Sequence, residues 1–194
     1  MVTARTHVTE VIRDPVLGKA GRLLFPVDSW YWSGDVLGDL GYNWYMRLNT
    51  QTTVDVVNRL HEDELGVTMD GYSLWGGSAG ARMAAWLGSH GTEAFGEREY
   101  PRPAAVIMQY TGLSEVYGNE PPTYNCVGTR DGIASWRTMD RRIRAIKAQG
   151  TDAMIEVFDG LPHGFGLGVG TMAEGWLGNA AAFWERQAGE RPGC

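Results

Sequence analysis

The chain has 194 residues, 43% of them hydrophobic, and carries a formal charge of −6 with a pI near 5.2. This length suits a single domain, and burial of about 70% of the unfolded chain's surface makes a metal or disulfide staple unnecessary. No basic block is present, which argues against nucleic acid and anionic membranes as partners, and no window approaches the roughly 18 apolar residues of a membrane span.

Residues 1–50 form an aromatic-rich segment, and residues 51–194 read as the core of the same domain. The N-terminus has no apolar stretch of the kind a secretory leader needs, so a cytoplasmic location is expected. Leu23 to Val27 can form a short edge strand, because Pro26 lacks a backbone donor. Trp30, Tyr31, Trp32, Tyr42, Trp44 and Tyr45 read as satellite core under a long segment; the alternative is a surface on which a sugar stacks. The run "TTVDVVNRLHEDELG" predicts a helix, with Thr52 or Thr53 as cap, Val54, Val57 and Leu60 as the apolar stripe and Gly66 as stop.

From Tyr72 onward strands and helices alternate. Tyr72 to Trp75 predicts a short strand and Ala79 to Leu87 a helix of small residues. Ala104 to Tyr110 is a continuous apolar run, as in a strand buried on both faces. Thr123 to Val127 is another strand and places Cys126 in the core; Cys194, the last residue, reads as frayed. The stretch "SWRTMDRRIRAIKAQG" predicts a helix burying Trp136, Met139, Ile143 and Ile146. Ala153 to Phe158 predicts the last strand, and "TMAEGWLGNAAAFWERQ" the last helix, with Thr171 and Glu174 spaced as a capping box. Strands separated by helical stretches imply an α/β fold, a mostly parallel sheet covered by helices.

The chemistry concentrates at "GYSLWGGSAGARMAAW". Gly76, Gly77, Ser78, Ala79 and Gly80 fit G-x-S-x-G between a strand and a helix, the context of a nucleophile elbow. Small neighbours are needed because strand and helix approach closely there. The Ala79 N–H, at the helix N-terminus, can donate to an oxyanion. The competing reading is a glycine turn whose serine caps a helix. A serine hydroxyl needs a base and the base an orienting acid, in the order Ser, Asp or Glu, His. Of the four histidines, His7 and His61 precede Ser78. His90 lies past the elbow helix and points away. His163, in "DGLPHGFG", follows the last strand and reaches the same sheet edge as Ser78. Asp131, in "VGTRDGI", follows the preceding strand; its other reading is a turn residue ahead of a helix. Asp159 is the rival acid, but it lies four residues before His163. The segment "GFGLGVGT" looks like a phosphate-cradling loop yet matches neither glycine-rich fingerprint and lacks a lysine, so it reads as the loop carrying the base. No histidine–carboxylate spacing suggests a metal.

The segments "DGYSLWGGSAGARMAAWLGSHG", "AVIMQYTGLSE", "PPTYNCVGTRDGIASWRTM" and "GLPHGFGLGVGTMAEGW" resemble α/β-hydrolases of the acetyl-esterase and acetylxylan- or feruloyl-esterase-like type. The resemblance runs from His61 to about Gln187. It implies a nucleophile at Ser78, an acid at Asp131, a base at His163, hydrolysis of short acyl esters such as acetyl groups on oligosaccharides, and no cofactor. One departure stands out. Such proteins carry a glycine-rich H-G-G-G-type loop that supplies the other oxyanion donor. Here no G-G-G precedes Ser78, as though a central segment were absent near Leu60 or His61. Two consequences are expected: weakened activity, and an open edge on the nucleophile strand that either Leu23 to Val27 or a second subunit covers. The alternative function is a catalytically silent relative serving as a carbohydrate-binding or assembly protein; a serine peptidase or thioesterase would share the same machinery.

Overall fold

The computed structural model describes residues 26–27, 71–91, 93–95 and 101–189. The helix expected after Thr52, the aromatic set from Trp30 to Tyr45, His7, His61 and Cys194 lie outside the described residues. Five parallel strands run in the order β1 (Pro26–Val27), β2 (Ser73–Gly77), β3 (Ala105–Gln109), β4 (Thr123–Gly128) and β5 (Ala153–Phe158). The helices are α1 (Ala79–His90), α2 (Trp136–Ala148) and α3 (Trp176–Gly189), with a short 3₁₀ turn at Glu93–Phe95. Among the described residues, no helix is long and apolar enough to cross a membrane.

The edge of β2 is met by β1, with Pro26 opposite Trp75 and Val27 opposite Gly76. Of the two ways to cover that edge, the chain's own N-terminal segment is the one observed.

Strand alternation sorts the core into two faces. Trp75, Ile107 and Tyr124 stand in register across β2, β3 and β4 and pack with Trp176, Ala180, Phe183 and Trp184 of α3. Cys126 lies in the same cluster as an unbridged, buried thiol that burial pushes well above its usual pKa, consistent with a core role. Leu74, Val106 and Met108 face the other way, onto Ala81, Ala84 and Leu87 of α1. Farther along that face Ile143 and Ile146 of α2 cover Ala153. β3 and β4 are buried throughout, as a sheet covered on both sides requires.

Beyond shifts at element ends (β2 extends to Gly77 and α1 to His90, which is its last residue), two details differ from the sequence reading. The last helix starts at Trp176 rather than at Thr171. Thr171 Oγ1 donates to the Gly168 carbonyl (2.6 Å), and Glu174 Oε2 accepts from Gly170 N–H (2.9 Å). Both side chains therefore serve a run of turns, which ends at Gly175 with φ 92° before the helix begins. The buried stripe of α2 includes Arg142 beside Met139, Ile143 and Ile146, whereas Trp136 is only half-buried under the Arg137 guanidinium.

Arg142 organises the β3–β4 connection, which contains no helix. Its Nε donates to the Glu115 carbonyl (2.9 Å), and its Nη2 lies 3.9 Å from Glu120 Oε1, both side chains being 1% exposed. Glu120 in turn accepts from the Tyr117 and Gly118 amides. Burial draws the Arg142 pKa down and the Glu120 carboxylate opposes that shift.

The passage from β2 into α1 sets the other constraint. A Cβ on Gly76 would sit 2.2 Å from the Gly80 carbonyl oxygen and 2.5 Å from Ala81 N. Strand and first helical turn are thus in backbone contact.

Two substitutions test these features by urea denaturation. Glu120→Gln leaves a buried guanidinium without its counter-charge and should cost about 3–5 kcal/mol. Gly76→Ala must separate β2 from α1 and should cost about 3 kcal/mol, the upper end of ordinary overpacking. A control, Gly178→Ala, adds a methyl with nothing within 4 Å in the first turn of α3 and should stabilise by up to about 0.5–1 kcal/mol. Unchanged midpoints for the first two variants would contradict the packing described.

Candidate active site

Three loops leave the C-terminal ends of β2, β4 and β5 on one edge of the sheet, and each carries one of the residues singled out in the sequence. Ser78 occupies the tight reversal between β2 and α1, with φ 53° and ψ −117°. For a non-glycine residue this conformation is strained. It is held by a hydrogen bond from Ser78 N to the Gln109 carbonyl (2.9 Å) and by the backbone contact at Gly76. The Ser78 side chain makes no capping bond to α1. The turn therefore presents the hydroxyl outward, unlike the competing reading in which the serine serves the helix.

The loop after β5 brings His163 to Ser78. His163 Nε2 lies 3.0 Å from Ser78 Oγ, and its Nδ1 lies 2.8 Å from Asp131 Oδ2. The Asp131 side chain is fully buried and the His163 side chain 17% exposed. Asp131 uses its two oxygens differently. Oδ1 accepts the Ile133 and Ala134 amides at 2.8 and 2.7 Å, while Oδ2 faces the imidazole. The two readings of Asp131, turn-former and partner of the histidine, are both observed at once.

A carboxylate is only an acceptor, so the proton between Asp131 and His163 resides on Nδ1. That tautomer leaves Nε2 free to accept the Ser78 hydroxyl. An arrangement of this kind can take a proton from the hydroxyl as its oxygen attacks, and the carboxylate then stabilises the imidazolium.

The Asp131 and His163 loops are laced together. Thr129 N donates to the Phe158 carbonyl and Arg130 N to the Leu161 carbonyl, while Thr129 Oγ1 donates to Asp159 Oδ1 (2.8 Å) and accepts from Gly160 N. Asp159, the rival acid, is thus engaged with Thr129. His90 lies at the opposite end of α1, with Nδ1 2.9 Å from the Trp86 carbonyl and its ring against Trp86 and Tyr117. Ala79, the first residue of α1, has no carbonyl of its own helix to receive its N–H. That donor is available beside Ser78.

The segment "GFGLGVG" has a backbone explanation. Gly164, Gly166, Gly168 and Gly170 all have positive φ, between 55° and 76°. A left-handed residue at every second position requires glycine and winds the loop tightly. Its Gly166 carbonyl accepts from Gln109 Nε2 (2.6 Å) and Trp176 Nε1 (2.9 Å), which ties the His163 loop to β3 and α3. Sequence reasoning passed over Gln109 and Tyr110 as the end of a buried strand. Tyr110 packs edge-on to His163, with ring centroids 4.7 Å apart.

The rim is apolar. Ile133, beside Asp131, is 70% exposed; Leu167, Val169 and Met172, in the turns after His163, are 59–75% exposed. Among the described residues no group of three histidine, cysteine or acidic side chains could hold a metal ion. Leu60 and His61, near which a central segment is expected to be absent, lie outside the described residues.

No protein-family model matches the sequence, and no curated protein matches it. Solved structures do. An acetyl ester-xyloside bifunctional hydrolase from Caldicellulosiruptor lactoaceticus aligns over 72% of this chain and 65% of its own, with a TM-score of 0.61 at 19% identity. An α/β-hydrolase from a Medee basin deep-sea metagenome aligns over 82% and 69%, with a TM-score of 0.59 at 14% identity. A thermophilic esterase from Thermogutta terrifontis, with propionate bound, aligns over 76% and 67%, with a TM-score of 0.59 at 22% identity. The chain spans about two thirds of the length of these proteins. With its parallel sheet, its helices on both faces and these neighbours, the chain has a shortened α/β-hydrolase fold.

Proposed function

We propose that this chain is a serine esterase acting on short acyl esters. The observation that carries the reading is the hydrogen-bonded line from Ser78 Oγ through His163 to the buried Asp131 carboxylate, at 3.0 and 2.8 Å. In the first step Ser78 Oγ attacks the ester carbonyl carbon while its proton passes to His163 Nε2. The Ala79 N–H stabilises the oxyanion of the tetrahedral intermediate, aided by the N-terminus of α1. His163 then gives the proton to the departing alkoxide, leaving an acyl-serine and a free alcohol. In the second step water attacks the acyl-serine, His163 takes the water's proton and returns it to Ser78, and the carboxylic acid leaves. Asp131 holds the tautomer throughout. The steps use no cofactor.

Acetyl is the acyl group proposed, with an acetylated oligosaccharide as the natural ester. Two neighbours, an acetyl ester-xyloside bifunctional hydrolase and an esterase with bound propionate, support a small acyl group. With Ala79 as the single donor named, the rate should be modest. A missing oxyanion donor costs on the order of 10²–10³ in kcat, which favours esters with good leaving groups over amides.

The test is turnover of p-nitrophenyl acetate by the protein and by Ser78→Ala, with both folds checked by circular dichroism. Where such a triad is assembled, loss of the serine removes on the order of 10⁶ in kcat, so the variant should fall to background. Mass spectrometry after fluorophosphonate treatment should find one adduct, on Ser78. Equal rates in two folded proteins, with no adduct, would instead identify a silent relative. Acetate release from acetylated xylo-oligosaccharides tests the alcohol: no release, alongside p-nitrophenyl acetate turnover, would restrict the reading to other short esters.

A further inference from the structure

Among the described non-glycine residues only Ser78 and Tyr110 have positive φ, at 53° and 37°. The two are neighbours through hydrogen bonding. Ser78 N donates to the carbonyl of Gln109, the residue before Tyr110, and Tyr110 N donates to the Cys126 carbonyl (2.8 Å). A left-handed aromatic residue at a strand end is unfavourable unless its surroundings fix it, and such residues cluster at functional sites.

The turn sends the Tyr110 side chain across the elbow. A Cβ on residue 77 would lie 3.2 Å from Tyr110 Oη, 3.4 Å from its Cε2 and 3.5 Å from Gln109 Oε1. On its other side the ring meets the His163 imidazole at 4.7 Å and 63°, and Phe165 at 5.1 Å. Burial pushes the Tyr110 pKa up, helped by the Cys126 thiol and the Asp131 carboxylate and opposed by hydrogen bonding from the Gly166 amide, so the hydroxyl stays protonated at neutral pH. Gly166 is three residues beyond His163, and its carbonyl is held by Gln109 and Trp176. One ring thus touches both the elbow glycine and the histidine.

We propose that Tyr110 is a positioning residue for His163: its ring holds the imidazole between Ser78 and Asp131, and residue 77 is glycine to leave room for the ring's hydroxyl end. The proposal rests on the reading of His163 as the base, and it adds a constraint that the G-x-S-x-G pattern does not contain, since that pattern leaves residue 77 open.

The experiment compares the full chain with Tyr110→Phe, Tyr110→Ala, Gly77→Ala and the Gly77→Ala/Tyr110→Phe double variant. The readouts are kcat and KM on p-nitrophenyl acetate and the low-field proton resonance of the His163–Asp131 hydrogen bond. Tyr110→Ala should lower kcat about 10- to 100-fold with KM little changed, as a misplaced catalytic group does, and should shift or broaden the resonance. Tyr110→Phe keeps the ring contact and should retain most of both. Gly77→Ala crowds the hydroxyl and should lower kcat. In the Tyr110→Phe background the closest remaining ring contact is 3.4 Å, so the alanine should do much less harm, a non-additive cycle. An unchanged kcat and resonance in folded Tyr110→Ala, or strictly additive effects in the cycle, would overturn the proposal. If Tyr110→Ala does not fold, the cycle decides. If the unmodified protein turns over no ester, the resonance decides: its perturbation by Tyr110→Ala and Gly77→Ala supports positioning although the esterase reading has failed, and its indifference to them overturns positioning too.

Discussion

The close approach of β2 to the first turn of α1 is the constraint on which the site's other features rest. With the Gly80 carbonyl 2.2 Å from where a Gly76 Cβ would be, only hydrogen fits at residue 76. The chain can then reverse within a single residue, and Ser78 takes the strained conformation that this reversal demands. The strain is met locally by the Gln109 carbonyl and globally by burial of Leu74 and Val106 against α1. A looser turn would leave the serine side chain free to cap the helix. The tight one presents it to the sheet edge, where the other loops arrive.

Those loops converge because the strands are parallel and close in the sheet, with only β3 between β2 and β4. Each strand of β2, β4 and β5 ends at the same edge, so a residue just past each end falls within a few ångströms of the others. Proximity alone would not align three side chains. Alignment comes from polar ties: Asp131 Oδ1 is fixed by two amides, which aims Oδ2, and the His163 loop is fixed at the Gly166 carbonyl by Gln109 and Trp176. The aromatic packing beneath, with Trp75 against Trp176 and Trp184, joins β2 to the helix that anchors the His163 loop.

Much of this was legible in the sequence. The meeting of Ser78, Asp131 and His163 could be read because each follows its own strand, and the strands announce themselves as apolar runs. The extents of β3 and β4 could be read for the same reason. Where local pattern and tertiary demand diverge, the sequence misleads. Thr171 and Glu174 have capping-box spacing, but the left-handed Gly175 intervenes, and both side chains bond within turns. Arg142 sits in an apolar stripe where a charge reads as solvent-facing; its burial depends on Glu120, which lies across the fold and has no sequence spacing to announce it. Gln109 and Tyr110 carried no signal because their placement comes from a backbone reversal at the strand end. The edge strand read from Leu23 to Val27 is observed at Pro26–Val27, paired with β2.

The His163 loop has one further consequence. Its left-handed glycines alternate with side chains, and Leu167 and Val169 stand exposed between them. Two kinds of position therefore share one short segment. At the glycines any other residue is strained, whatever the loop binds. Residues 167 and 169 are exposed, so size and polarity can change there at less cost to the winding. The segment thus separates the positions that set the loop's shape from those open to variation.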